Sequence, residues 1–139
     1  MCAMDEILAE RQRQIEVEGW TPEHDDEHSD GEMLHAAVIY LWHGTEKAAP
    51  VMEDGRPASW PWASEWFKPK DRRQNLVRAG ALCLAEKDRI ARLNEKRQAA
   101  GVNIDRRVRR RSAGSGYYPL PTGHVEHKLN LIVRELEAL

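Results

Sequence analysis

Ten consecutive residues, Met33-Leu34-His35-Ala36-Ala37-Val38-Ile39-Tyr40-Leu41-Trp42, constrain this chain more than any others. A helix that is apolar on nearly every side has to be enclosed by other elements, and it is expected in the middle of the core. Its start is marked by Ser29 or Asp30, either of which can cap a helix running from about Gly31 to His43.

Three further helices are available to enclose it. Met4 to Val17 carries an apolar stripe of Ile7, Leu8, Arg11, Ile15 and Val17, and Gly19 ends it as glycine does just past a helix C-terminus. Asp71 caps the longest helix, Arg72 to about Ala99, in which Leu76 to Ala85 is apolar except for Arg78. The last helix spans about Val125 to Leu139 and turns Leu129, Ile132, Val133, Leu136 and Leu139 to one side. No run alternates as a strand does, and no segment repeats. The expected fold is all-α, a compact bundle of about four helices with a long Trp/Pro-rich connection. Residues 1–101 form the helical core domain, 102–123 a basic Gly/Ser linker with a Tyr-Pro segment, and 124–139 the C-terminal amphipathic helix.

That connection, Thr45 to Pro69, contains Pro50, Pro57, Pro61 and Pro69 and three tryptophans, Trp60, Trp62 and Trp66. A loop of this length is usually functional or disordered. Its tryptophans argue that the second half is packed down.

At 139 residues, 41% hydrophobic and 32% charged, the chain suits one globular domain. The apolar run Leu76–Ala85 is too short to span a bilayer, and the acidic N-terminus does not read as an export signal. Cys2 and Cys83 make no disulfide framework. The expectation is a cytoplasmic protein with no membrane partner.

The net charge of -2 conceals a polarity. Met1 to His35 carries eleven acids and two bases, whereas Lys68 to Arg111 carries fifteen bases and five acids. Opposed charges of this kind suit a homo-oligomer built partly by the C-terminal helix, an anionic ligand, or a charged host protein. The run Arg106-Arg107-Val108-Arg109-Arg110-Arg111 attracts acidic faces or nucleic acid non-specifically, and no pattern for sequence-specific DNA binding accompanies it.

Two ligand chemistries can be read from the residues. Trp20, Trp60, Trp62 and Trp66 can stack on a base, while Lys68, Arg72, Arg73 and Arg78, with Lys70, lie near the start of the long helix, where free amides and the helix dipole favour a phosphate. Arg78 interrupts an apolar face, so its guanidinium needs an anionic ligand or a carboxylate, with Glu32 or an acid of Glu23–Glu27 as candidates. The second chemistry is a divalent metal, Mg²⁺ above all, on Asp25, Asp26, Glu32 and Glu86. Glu32 and His35 have the Glu-x-x-His spacing of di-iron bundles, but no second copy exists. Asp25, Asp26 and Asp30 also suit turns and caps, with His24 and His28 at the surface.

The stretches Glu10-Arg11-Gln12-Arg13-Gln14, Glu18-Gly19-Trp20-Thr21-Pro22-Glu23-His24-Asp25-Asp26-Glu27-His28, Trp60-Pro61-Trp62 and Leu76-Val77-Arg78-Ala79-Gly80-Ala81-Leu82 resemble a family of small phage and prophage proteins of unassigned function. The likeness covers roughly residues 4 to 95. The Gly-Trp turn and the acidic-His stretch after it are also similar to the ryanodine-receptor repeat domain. The first resemblance implies a phage accessory protein, acting in nucleotide metabolism or against host defence inside an infected or lysogenic bacterium.

Three functions follow. The first is sequestration of a small nucleotide or nucleotide-derived signal without turnover and without a cofactor. The second is a Mg²⁺-dependent nucleoside triphosphate pyrophosphohydrolase of the MazG kind, for which the chain offers Glu10, Glu32 and Glu86 on three helices but neither paired acidic motif. The third is an inhibitor or adaptor that binds a protein. The missing motifs place sequestration first and leave the chain with no assigned catalytic residue.

Overall fold

A computed structural model describes residues 2–102 and 120–139, and the basic run Arg106–Arg111 with the Gly/Ser and Tyr-Pro segment up to Pro119 lies outside them. The described residues are all-α. Helix α1 spans Ala3–Glu16, a single turn α2 spans Pro22–Asp25, α3 spans Glu32–Trp42, α4 spans Arg72–Val102 and α5 spans Gly123–Glu137. A 3-10 turn, Ser64–Trp66, interrupts the connection between α3 and α4, and an isolated bridge joins Val51 to Pro57. Among the described residues no helix is long and apolar enough to cross a membrane.

The centre of the bundle is α4 rather than α3: α1, α2, α3 and α5 all pack on it. Its residues explain why. From Asn75 to Glu86 the helix is buried almost all round, and Ala79, Gly80, Ala81, Cys83 and Ala85 are small enough for three helices to approach its axis. A Cβ at Gly80 would stand 2.6 Å from Ile7 Cδ1, so α1 is seated directly on this glycine. Helix α3 keeps its apolar character, with Met33, Ala36, Ala37, Tyr40 and Leu41 buried, but His35 is left exposed.

Helix α1 buries a narrower stripe than its sequence suggests. Ala3, Ile7, Arg11 and Gln14 face the core, while Leu8 and Val17 are exposed. Spacings of three and four keep the first set on one side, and Leu8, next to Ile7, turns away by about 100°. Gly19 then adopts a φ of +76°, and Trp20 N–H returns to Gln14 C=O at 3.0 Å. This left-handed turn is cheap for glycine and throws the chain back toward the bundle.

The other ends are set locally. Asp71 Oδ1 accepts Gln74 N–H at 2.8 Å at the start of α4. At α3 the cap is Gly31 in the left-handed conformation, not Ser29 or Asp30, and the Glu32 carboxylate accepts Asp30 N–H at 2.6 Å instead. The entry to α5 is clamped by Asn94, which accepts Leu120 N–H at 2.7 Å and donates to Leu120 C=O at 3.2 Å. Val125, Leu129, Ile132 and Leu136 of α5 are buried in the same core, so most of the face expected to hold subunits together is used within the chain.

Candidate functional site: a tryptophan-walled cavity

The Gly19 turn and the Trp60–Trp66 segment bring three indoles together from two distant parts of the chain. Trp20 lies 6.2 Å from Trp62 and 6.5 Å from Trp66, centroid to centroid. Around them is a half-open cavity of about 250 Å³, floored by Met33 and Leu82 and edged by Ala63, His24, Asp25 and His28.

Each wall has a local cause. Thr21 Oγ1 accepts His24 N–H at 3.3 Å and Pro22 stands at the first helical position, so a single turn of helix forms directly after Trp20. Arg11 then ties this turn to α1: its guanidinium donates to Trp20 C=O at 3.1 Å and to the Asp25 carboxylate. Both side chains of the Arg11–Asp25 pair are buried. From the other side, Arg92 of α4 donates to Asp26 at 2.8 Å and to Pro22 C=O at 3.2 Å. In the Trp-rich segment, Trp60 is the anchor. It is buried against Tyr40, Phe67 and Trp62, with its indole N–H donated to Ala63 C=O at 3.1 Å. The 3-10 turn that follows exposes Trp66.

The polar groups of the cavity differ in character. Burial pushes the Asp25 carboxyl above its usual range, while Arg11 pulls in the opposite direction. His28 Nδ1 lies 3.0 Å from Glu32 Oε2, and its ring stands 5.0 Å from His24 and 5.2 Å from Trp62. Burial pushes Glu32 up, but hydrogen bonds from Asp30 N–H and His28 outweigh it and leave the carboxyl below its usual range. The Trp62 indole N–H is buried with no acceptor among the described residues. The cavity thus offers aromatic faces and a carboxylate at its edge, while the Trp62 N–H is closed off from it.

No family model, curated protein or solved structure matches this chain. Function is therefore argued from the site.

The expected ligand set is divided by the structure. Trp20, Trp62 and Trp66 share the cavity, while Trp60 supports it from the core. Lys68 stays nearby, its Nζ 5.3 Å from the Trp66 ring centre, and its backbone N–H donates to the Tyr40 hydroxyl at 2.9 Å. The arginines lie elsewhere. Arg72 donates to Leu41 C=O at the end of α3 and to Glu135 of α5 at 3.4 Å. Arg73 forms two hydrogen bonds to Glu6, at 3.0 and 2.6 Å. Arg78 lines a separate groove and meets neither Glu32 nor an acid of Glu23–Glu27. Those acids have other partners: Arg11 takes Asp25, Arg92 takes Asp26 and His28 takes Glu32.

The four proposed metal ligands are likewise apart. Glu86 is buried against Arg89 on its own helix, and among the described residues no three His, Cys, Asp or Glu side chains come together as a ligand set. Cys83 is fully buried, and burial raises its thiol to about 12, so it holds no thiolate at neutral pH. The sequence reading missed His24 and His28 as cavity residues. His28 lies beyond the single turn of α2, so no helical spacing marked the pair.

Proposed function

We propose that this protein binds and holds a small nucleotide, or a signalling molecule derived from one, with its base among Trp20, Trp62 and Trp66. The observation that carries the reading is the convergence of three indoles, from segments some forty residues apart, on one half-open cavity. A planar ring gains about 1–3 kcal/mol from each good aromatic stack. Of the polar groups beside the rings, the Asp25 carboxylate can accept an N–H of a base edge. At about 250 Å³ the cavity is small for a ligand site and suits one ring system rather than several.

Holding rather than hydrolysis is favoured by the carboxylates. Asp25, Asp26, Glu32 and Glu86 are each engaged by an arginine or a histidine, so none of these four is free of a cationic or imidazole partner. The resemblance to small phage and prophage proteins supports a setting in an infected bacterium, where removing a free nucleotide signal opposes host defence.

The test mixes the purified protein with a broad nucleotide pool and Mg²⁺, removes unbound material and denatures the protein. Mass spectrometry then reads both fractions. An intact compound released on denaturation supports sequestration and names the ligand class. Pyrophosphate and monophosphates in the unbound fraction establish hydrolysis instead. An unchanged pool with nothing released contradicts nucleotide binding.

A further inference from the structure

Among the described residues three arginines are buried, and two of them have a carboxylate: Arg11 holds Asp25 and Arg89 holds Glu86. The third does not. Arg78 is 7% exposed, as buried as Arg11, yet it forms no ion pair and donates no hydrogen bond of good geometry among the described residues. Its nearest partner is Tyr40, whose ring centre lies 5.6 Å from the guanidinium carbon and whose hydroxyl also feels the charge. The Arg78 nitrogens are not among the side-chain atoms closed off from solvent, so the charged end opens into a groove while the stem is buried.

Arg78 lines a groove of about 570 Å³ between α1 and the start of α4, together with Glu6, Glu10, Arg13, Lys70 and Arg73. The two acids there are already taken. Arg73 grips Glu6 with two hydrogen bonds, and Arg13 grips Glu10 at 2.6 and 2.9 Å. That leaves Lys70, which is exposed, and Arg78 as the two cations of the groove with no carboxylate partner among the described residues. The amides at the very start of α4 are not the attraction, because Asp71 caps them. The surplus charge therefore sits one to two turns further in, at Arg78.

We propose that this groove binds a phosphate group of a small molecule, with Arg78 as the buried anchor and Lys70 at the mouth. A guanidinium offers two parallel N–H donors to two phosphate oxygens, and an ammonium adds a mobile point charge. The groove shares no lining residue with the tryptophan cavity and does not rest on the reading given to it.

The test follows the thermal midpoint of the full chain as chloride is replaced, at matched ionic strength, by inorganic phosphate in one arm and ribose 5-phosphate in the other. Both anions raise the midpoint by mass action if they bind the folded chain. The anion with the larger rise identifies the source as free phosphate or a phosphate ester. Arg78→Met abolishes the rise while the chain still folds in chloride, because methionine keeps the buried aliphatic stem. Lys70→Ala, an exposed change that leaves the core intact, reduces the apparent affinity about three- to tenfold. Trp66→Ala leaves the phosphate response unchanged, which separates this groove from the tryptophan cavity. The proposal is overturned if neither anion raises the midpoint beyond chloride, or if Arg78→Met responds like the parent protein.

Discussion

Arg11 of α1 and Asp25 at the end of α2 form a buried ion pair across the Gly19 turn, and the same guanidinium donates to Trp20 C=O at 3.1 Å. One side chain thereby fixes both the backbone that carries Trp20 and the carboxylate that edges the cavity. Removing one partner leaves the other charge buried and alone, which costs about 3–5 kcal/mol. Arg11→Met and Asp25→Asn are each expected to destabilise the protein by this order in urea unfolding. The double variant should lose clearly less than the sum of the two single losses. Strictly additive losses would show that the pair is not coupled.

Gly80 is the contact point of α1 on α4. A Cβ there meets Ile7 Cδ1 at 2.6 Å and Cγ1 at 2.7 Å, and Ile7 is fully buried, so its side chain has little space to yield. Gly80→Ala is expected to cost about 1–3 kcal/mol despite the better helix propensity of alanine. Ile7→Val in the same chain should recover part of the loss. If Gly80→Ala stabilises the protein, α1 is not seated as described.

The pH dependence of the α2 turn follows from Asp26. The hydrogen bond from Arg92 holds its carboxyl below the usual range. A depressed carboxyl contributes stability above its unfolded pKa and loses it as pH falls through the folded value. The pair is partly exposed, with 28% and 35% of the two side chains accessible, so the contribution is screened and small. Urea midpoints measured through and below the aspartate range should fall more steeply for the parent protein than for Asp26→Asn. Parallel curves would contradict this assignment.

Thiol chemistry separates the two cysteines. Cys2 is exposed and Cys83 is buried, its thiol pushed up to about 12 by burial. A thiol reagent at neutral pH should modify one cysteine in the native protein and two after unfolding. Rapid native labelling of both would mean that α4 is not enclosed.

Much of the bundle was legible in the sequence because helix signals are local. The apolar stretch of α3, the glycine after α1 and the Asp71 cap of α4 act within a few residues, and each element lies within a few residues of its expected ends. The choice of hub was not legible. Hydrophobicity marks α3, but the close approach of several helices selects the small residues of α4, and that is a property of the assembled core. The tryptophans were found because large apolar side chains in a long loop have to pack. The arginines lie away from that pocket, because nearness in sequence says little about direction. Arg72 and Arg73 leave α4 about 100° apart, one toward α3 and α5, the other toward Glu6 of α1. Which cation meets which acid depended on the Gly19 turn, which delivers Asp25 to Arg11 and leaves Arg78 without a carboxylate.

If the tryptophan cavity holds a nucleotide as proposed, Trp66 contributes a stacking face that can be removed by itself. Its ring lines the cavity and is 40% exposed, so its removal deletes a stacking face without opening the core. The measurement is the amount of intact nucleotide retained from a common pool by the parent protein and by Trp66→Ala, side by side at equal thermal stability. The expected result is a compound retained by the parent and reduced about tenfold or more in the variant, the loss of one stack. Equal retention by both proteins, or none by either, would contradict the assignment.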